Sequence, residues 1–125
     1  MTQLRARLAP PARTLVDVFR STVTAYGEAH ALDNGVDVLS YDEFAHAAEE
    51  VATDLAAHGI GRGDRVGVRI ASGTTDLYVA IMGILLAGAA YVPVDADDPD
   101  ERARTVFDEA GVAAILGNGL AITTR

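Results

Sequence analysis

The sequence predicts an α/β fold: a mostly parallel sheet with helices on both faces, preceded by a helix and a short hairpin. Three observations lead to this prediction. From residue 65 onwards, apolar runs with few charges alternate with segments of helical periodicity, as in parallel strands joined by helices. Glycines and helix-capping residues separate these segments. Of the 125 residues, 50% are hydrophobic, which is enough for a folded core.

Composition excludes several classes of function. The net charge is −8, from 18 acidic and 10 basic residues, and such a surface disfavours nucleic-acid binding. All ten basic residues are arginines. The absence of cysteine excludes disulfides, thiolate zinc sites and thiol nucleophiles. No apolar run follows Arg5 and Arg7, so the sequence predicts no secretory signal and a cytoplasmic location.

The first elements follow a flexible leader predicted over residues 1–13. Apolar residues recur at helical spacing from Leu15 to Tyr26, and Gly27 ends that helix. Two short apolar runs, residues 29–33 and 36–39, then flank an Asn-Gly pair, which predicts a hairpin with a two-residue turn.

A capping box predicts the next helix. The hydroxyl of Ser40 can accept from the backbone of Glu43, whose carboxylate can reach back to the backbone of Ser40. The spacing predicts a buried face for this helix that comprises Phe44, Ala48, Val51, Ala52 and Leu55. Gly59 ends it, residues 61–64 form a turn, and residues 65–70 (RVGVRI) form a strand.

Residues 77–94 carry no charge, and their length reaches the lower limit for a membrane-spanning helix. Gly83, Gly88 and Pro93 interrupt the run, and its second half is rich in strand-forming residues. We therefore expect a buried helix that starts near Thr74 and Thr75, followed by a buried strand over residues 91–94, and not a membrane span.

Another helix follows, for which the sequence predicts Asp98 as N-cap, Pro99 as first helical residue and Glu101 at the third position. Its spacing predicts the buried residues Ala103, Val106, Phe107 and Ala110. Gly111 ends this helix and residues 112–116 form a third strand. No element is predicted beyond Gly117.

Two glycine-containing loops resemble nucleotide-binding motifs. Residues 72–75 (SGTT) resemble a phosphate-binding loop, but Asp76 follows and the chain has no lysine, so a helix cap is favoured. Residues 59–63 (GIGRG) resemble the dinucleotide fingerprint. Asp64 takes the place of its third glycine and the run precedes a strand, so a turn is favoured.

An acidic cluster and three histidines are the candidate metal ligands. The cluster comprises Asp95, Asp97, Asp98, Asp100 and Glu101. It lacks the ligand spacing of a calcium loop, so a turn and a capped helix explain it better. His30, His46 and His58 are not at metal-ligand spacing. Ser40 and Ser72 are explained as caps. The sequence therefore predicts no catalytic, cofactor-binding or metal-binding residue in this chain.

Three stretches nevertheless resemble a known family. Residues 39–44 (LSYDEF) resemble the first core motif of adenylation domains, L-T/S-Y-x-E-L, and residues 86–95 (LAGAAYVPVD) resemble the second, L-K-A-G-x-A-Y-V/L-P-I/L/V-D. Between them, residues 59–68 are similar to the family pattern G-V-x-x-G-D-x-V-A-V. Phe44 and Leu86 depart from the two core motifs, and neither position is catalytic in the family.

The chain thus resembles the N-terminal segment of a nonribosomal-peptide-synthetase-type adenylation domain, in the superfamily of AMP-forming ligases that includes luciferase. Residues 92–111 are similar to polylysine-synthetase-type enzymes, which activate basic amino acids. The resemblance implies that residues 14–118 form the first subdomain of the large N-terminal domain. Residues 119–125 are expected to be the start of its remainder or a frayed tail.

The resemblance also implies a reaction for the parent domain. An amino-acid carboxylate attacks the α-phosphate of ATP, with Mg²⁺ present, and the aminoacyl group then passes to a phosphopantetheine thiol on a carrier protein. The family's two functional lysines and its ATP and substrate contacts come later in sequence, and this chain has no lysine. The segment alone is therefore expected to be inactive, with the remainder of the domain as its partner.

Two alternatives stay open from sequence. A truncated, non-catalytic module could dock on a partner protein through the apolar residues 77–86. Alternatively, the chain could be a small-molecule-binding module with an independent flavodoxin-like fold.

Overall fold

The computed structural model describes residues 14–125; the leader predicted over residues 1–13 lies outside them. The helices are α1 (Leu15–Tyr26), α2 (Tyr41–Ala57), α3 (Thr75–Leu86) and α4 (Asp100–Ala110). The strands are β1 (His30–Asp33), β2 (Val38–Ser40), β3 (Arg65–Val68), β4 (Ala90–Pro93), β5 (Ala114–Leu116) and β6 (Ile122–Thr124). A short 3₁₀ turn, Asn118–Leu120, precedes β6.

The strands form two sheets. β1 and β2 pair antiparallel, and the second sheet has the order β4-β3-β5-β6. In this sheet β3 is parallel to both β4 and β5, whereas β6 is antiparallel to β5. The α/β architecture with a mostly parallel sheet is therefore confirmed.

Backbone hydrogen bonds fix the orientation of the two outer strands. The N–H groups of Ala90 and Val94 donate to the carbonyls of Asp64 and Val68, each at 2.9 Å. On the other side, the N–H of Gly117 donates to Ala121 at 2.9 Å and the N–H of Arg125 donates to Ala113 at 3.1 Å. Since successive residues of a strand point their backbone groups to opposite sides, Tyr91, Pro93, Ile122 and Thr124 direct theirs away from the sheet.

The two faces of the sheet bury two different cores. Val66 and Val68 of β3 belong to the larger core, which α1, α2 and α3 complete. A smaller core lies around Phe107 of α4 and consists of Val94, Ala103, Phe107 and Val112. The chain runs from β3 outward to β4 and then back past β3 to β5. Because parallel crossovers are right-handed, this reversal places α3 and α4 on opposite faces.

Side-chain caps stabilise the N-terminal ends of α1 and α2, both of which begin where the sequence predicts a helix. The Ser40 hydroxyl accepts from the Glu43 N–H at 3.1 Å, and the Ser40 N–H donates to the Glu43 carboxylate at 2.9 Å. Thr14 and Asp17 form the same arrangement at the start of α1. The two helices meet through Phe19 and Phe44, whose ring centroids lie 5.1 Å apart, edge to face.

The uncharged residues 77–94 divide as predicted into the rest of α3 and strand β4, joined through Gly88 at φ +84°. The predicted burial of the strand is wrong, because β4 lies at the edge of the sheet and Ala90, Tyr91 and Pro93 are exposed. Val79, Ala80, Gly83 and Ile84 are buried within the chain, mainly against α2 and the sheet. Across residues 14–125, no helix has the length and apolarity that a membrane crossing requires.

The hairpin turn differs from the predicted two-residue turn. β2 begins at Val38, not at residue 36, and residues 34–37 form the loop. The Asn34 side-chain oxygen accepts from the N–H groups of Val36 and Asp37, at 2.9 and 2.6 Å, and the Asn34 N–H donates to the Asp37 carbonyl. These local bonds compete with strand pairing and hold the chain in a wider loop.

The predicted cap of α4 is wrong. The helix begins at Asp100 with Pro99 as its N-cap, and no side chain caps it. Asp98 is instead bound elsewhere: its carbonyl accepts from Arg69 and its carboxylate accepts from Arg102.

Strand β6 was not predicted. Residues 122–124 pair antiparallel with β5 in the register Leu116↔Ile122, Ile115↔Thr123 and Ala114↔Thr124. The proposed division of the chain at residue 118 stays a prediction.

Candidate functional site

In α/β folds, ligands bind at the carboxyl ends of parallel strands, next to the point where the strand order reverses. Here β3 lies at that point, between β4 and β5. The loops after these three strands cover residues 69–74, 94–99 and 117–121. Two of the motifs singled out in the sequence, residues 72–75 and the acidic cluster, fall at this edge.

The loop that resembles a phosphate-binding loop is a helix cap. The Thr74 hydroxyl donates to the Ala71 carbonyl at 2.7 Å and accepts from the Leu77 N–H at 3.4 Å. Gly73 has φ +78°, which makes the turn into α3 possible. Asp76 occupies the first turn of α3, where its charge is favourable to the helix dipole and unfavourable to a bound phosphate.

The acidic segment between β4 and α4 is held by Arg69. Its guanidinium donates to the Asp100 carboxylate at 2.8 Å through Nη1 and to the Asp98 carbonyl at 2.5 Å through Nη2. The backbone N–H of Arg69 donates to the Leu116 carbonyl at 2.9 Å. Arg69 therefore ties the end of β3 to the end of β5 and to the start of α4.

The remaining acidic groups have similarly local partners. The Asp95 carboxylate accepts from the Asp97 N–H at 2.9 Å, and Asp98 pairs with Arg102 at 3.2 Å. Within residues 14–125, no three His, Asp or Glu side chains lie close enough together to hold a metal ion. These residues do not fit a Mg²⁺–ATP site, so we derive no chemical step through one.

The turn that resembles a dinucleotide fingerprint is closed by Asp64. The Asp64 carboxylate accepts from the Gly61 N–H at 2.9 Å, and the Asp64 N–H donates to the Gly61 carbonyl at 3.0 Å. Gly63 has φ +87°, which a tight turn of this kind allows. The turn precedes β3 and lies at the opposite edge of the sheet from the loops described above.

The three histidines lie apart, one in β1, one within α2 and one at the C-terminal end of α2. His30 is in β1, His46 pairs with Glu50 one turn further along α2 at 2.9 Å, and His58 Nδ1 lies 2.8 Å from the Asp54 carbonyl. The structure thus does not bring them together. His30 belongs to a strand, His46 to a helix surface and His58 to a helix end.

One carboxylate has a displaced pKa. The backbone N–H of Ser40 lowers the pKa of Glu43 below its ordinary value of 4.5, and the Ser40 hydroxyl contributes in the same direction. A hydrogen bond to the ionised form favours that form. The cause is the helix cap, so the shift marks a structural role.

The strand-end groups thus bind one another, and the geometry defines a scaffold: an α/β unit whose loops are ordered by their own side chains. Sequence reasoning missed the role of Arg69. The signal available was an arginine within an apolar strand run, RVGVRI, in a chain with an acidic helix start further on.

Comparison with known proteins gives the family. The AMP-binding enzyme family matches residues 19–124, and the chain belongs to it. The chain is an N-terminal adenylation-domain segment of the nonribosomal-peptide-synthetase type, as its motifs predicted. The finer similarity to polylysine-synthetase-type enzymes stays a prediction.

Two relatives illustrate the similarity. The anguibactin system regulator of Vibrio anguillarum is 39% identical over 100 residues, which cover 80% of this chain and 9% of the relative. Pyochelin synthetase PchF of Pseudomonas aeruginosa is 37% identical over 114 residues, which cover 86% of this chain and 6% of the relative. The chain therefore spans less than a tenth of the length of these relatives.

Solved structures agree with the fold. The nonribosomal peptide synthetase FmoA3 aligns with a TM-score of 0.83 and 33% identity, over 89% of this chain and 12% of that one. The N-terminal subdomain of Klebsiella oxytoca NpsA aligns with a TM-score of 0.79 and 22% identity, over 88% of this chain and 29% of that one. At that identity the NpsA match supports the fold alone.

Proposed function

We propose that this chain is the scaffold of the first subdomain of an amino-acid-activating adenylation domain, and that it is inactive alone. The parent domain joins ATP and an amino acid to give an aminoacyl-adenylate and pyrophosphate. It then transfers the aminoacyl group to the phosphopantetheine thiol of a carrier protein. ATP, Mg²⁺ and the carrier protein belong to this proposal, as does the cytoplasmic location.

One observation carries the proposal: the two family motifs build the framework, while the polar groups near them are engaged within the chain. The first motif, residues 39–44, forms the capped start of α2, and the second, residues 86–95, forms the link from α3 through β4. Asp64 and Thr74 make hydrogen bonds within their own turns, and Arg69 makes them to the segment before α4. Such groups position strands and helices and leave the chemistry to the remainder of the domain.

The docking-module alternative stays a prediction. The apolar residues 77–86 were expected to need a covering partner. Val79, Ala80 and Ile84 are buried by the chain itself, with α2 as the main neighbour of α3, whereas Tyr78 is 51% exposed. The alternative of a small-molecule-binding module with an independent flavodoxin-like fold also stays a prediction.

The first experiment is the intact mass of the native gene product, followed by amino-acid-dependent ATP–pyrophosphate exchange. We expect a mass several times the 13.1 kDa of this chain and exchange by the longer product. The 125-residue chain should show no exchange above an assay without amino acid. A native product of 13.1 kDa, or exchange by the short chain, would overturn the proposal.

Substrate class is the finer part of the proposal. The resemblance of residues 92–111 to polylysine-synthetase-type enzymes favours a basic amino acid. The longer product should then catalyse ATP–pyrophosphate exchange faster with lysine and ornithine than with leucine and phenylalanine. Preference for an apolar amino acid would contradict this part and leave the scaffold role intact.

A further inference from the structure

Three of the arginines in this acidic chain line one cavity. The cavity has a volume of about 550 Å³ and lies between the sheet and α4. Its lining includes Arg69, Arg104 and Arg125, with Asp100 as the one carboxylate. In a chain of net charge −8, this concentration of positive charge stands out.

Two of these arginine side chains are less exposed than a typical surface arginine. The side chains of Arg69 and Arg125 are 24% and 30% exposed, so their charges are screened less than surface charges are. Arg69 uses two of its five N–H donors, on Asp100 and on the Asp98 carbonyl. Arg125 binds Asp108 through Nη2, which leaves its other donors available.

Arg104 completes the charged side of the cavity. It lies on α4, is exposed, and has no side-chain partner within residues 14–125. The opposite lining is apolar and includes Ile115 of β5 and Phe107 of α4. A cavity of this size, with an apolar wall and a few convergent polar groups, has the features of a small-molecule site.

We propose that this cavity binds a small organic anion whose carboxylate or phosphate head group lies between Arg69, Arg104 and Arg125. Its apolar body packs against Ile115 and the edge of Phe107. Guanidinium groups suit both head groups because their N–H donors match two oxygens at once. Binding needs only the described residues, so the site is independent of the adenylation function proposed above.

The test is a titration of the 125-residue chain with phenyl phosphate, benzoate and inorganic phosphate, followed by backbone amide NMR shifts. We expect saturable binding of phenyl phosphate or benzoate, with shifts in α4 and β5. Inorganic phosphate should bind several-fold more weakly because it lacks the apolar body. No saturation by either aromatic anion up to about 10 mM, or equal binding of inorganic phosphate, would overturn the proposal.

Arg104→Ala is the test variant and Arg102→Ala is its matched control. Both are exposed arginines of α4, and only Arg104 lines the cavity. We expect Arg104→Ala to weaken binding about five- to tenfold, Arg104→Glu to abolish it, and Arg102→Ala to leave it unchanged. If the two alanine variants weakened anion binding equally, the effect would be one of general charge, and the proposed site would be wrong. The amide spectrum of each variant reports whether it is folded.

Discussion

Gly67 lies directly against the aromatic ring of Phe107. A Cβ atom built on Gly67 would come within 2.6 Å of Cε1 and 2.8 Å of Cδ1 of that ring. Gly67 is in the middle of β3, and Phe107 is the centre of the smaller core. The absence of a side chain at Gly67 is what lets α4 approach the sheet.

Gly67→Ala should therefore destabilise the fold. The overlap can be relieved only by displacing the buried Phe107 ring or α4 from the sheet, so we expect a loss of about 1–3 kcal/mol in the free energy of unfolding. Chemical denaturation measures it. Gly117→Ala is the control, because its Cβ would meet no described atom within 4 Å and its φ of −109° suits alanine. Combining Gly67→Ala with Phe107→Leu should recover about 0.5 kcal/mol or more relative to additivity. Strict additivity would argue against the contact.

Gly83→Ala tests two opposing effects in α3. Alanine favours a helix over glycine by about 1 kcal/mol. However, a Cβ on Gly83 would lie 2.5 Å from Cβ of Val51 and 2.9 Å from the Ala48 carbonyl, atoms that cannot rotate away. We expect the steric cost to prevail and the variant to melt at a lower temperature than the wild type. A higher melting temperature would mean that α2 and α3 separate easily.

The contacts of Arg69 predict that its replacement lowers the free energy of unfolding more than replacement of Arg102 does. Arg69→Met should cost about 1.5–3 kcal/mol because it removes charge-assisted bonds to the Asp100 carboxylate and the Asp98 carbonyl. Arg102→Ala removes an exposed i,i+4 pair with Asp98 and should cost about 0.5 kcal/mol or less. Hydrogen exchange at the start of α4 should also accelerate in Arg69→Met. Equal losses of stability in the two variants would contradict the proposed role of Arg69.

The lowered pKa of Glu43 predicts that part of the fold's stability is lost at acidic pH. Its pKa is lowered in the folded chain by the Ser40 N–H, so its stabilising effect is complete above the ordinary value of 4.5. That effect is lost as the pH falls through the lower folded-state pKa. Glu43→Gln removes the ionisation. The difference in melting temperature between wild type and Glu43→Gln should therefore be largest at neutral pH and shrink below pH 4.5. A difference that is constant with pH would exclude this mechanism.

Local sequence signals predicted most of the fold. The helices α1 to α3 and the N-terminal caps of α2 and α3 follow from periodicity and from pairs such as Ser40 and Glu43, which lie close together in the chain. The hairpin loop was missed although its bonds from Asn34 are local, whereas the misses at α4 and β6 involve partners that are distant in sequence. The start of α4 depends on Arg69, 29 residues before Asp98, and β6 forms only against β5. Three residues such as Ile-Thr-Thr carry too little periodicity to identify a strand.

In the candidate site too, roles that depend on nearby residues could be predicted and contacts between distant residues could not. The capping roles of Ser40 and Thr74 could be predicted because each acts on the next helical turn. The arginine-lined cavity could not, because Arg69, Arg104 and Arg125 belong to different elements and meet only after the sheet has formed.

The two edge strands, β4 and β6, differ in how well they can pair with a further strand. Pro93 lies on the outer side of β4 and lacks a backbone N–H. A strand that paired with this edge would therefore lack one hydrogen-bond donor. On β6, Ile122 and Thr124 direct complete backbone groups outward from an uncharged, β-branched segment. Any strand added to this sheet, whether in the parent domain or by unwanted self-association, is therefore directed beyond β6.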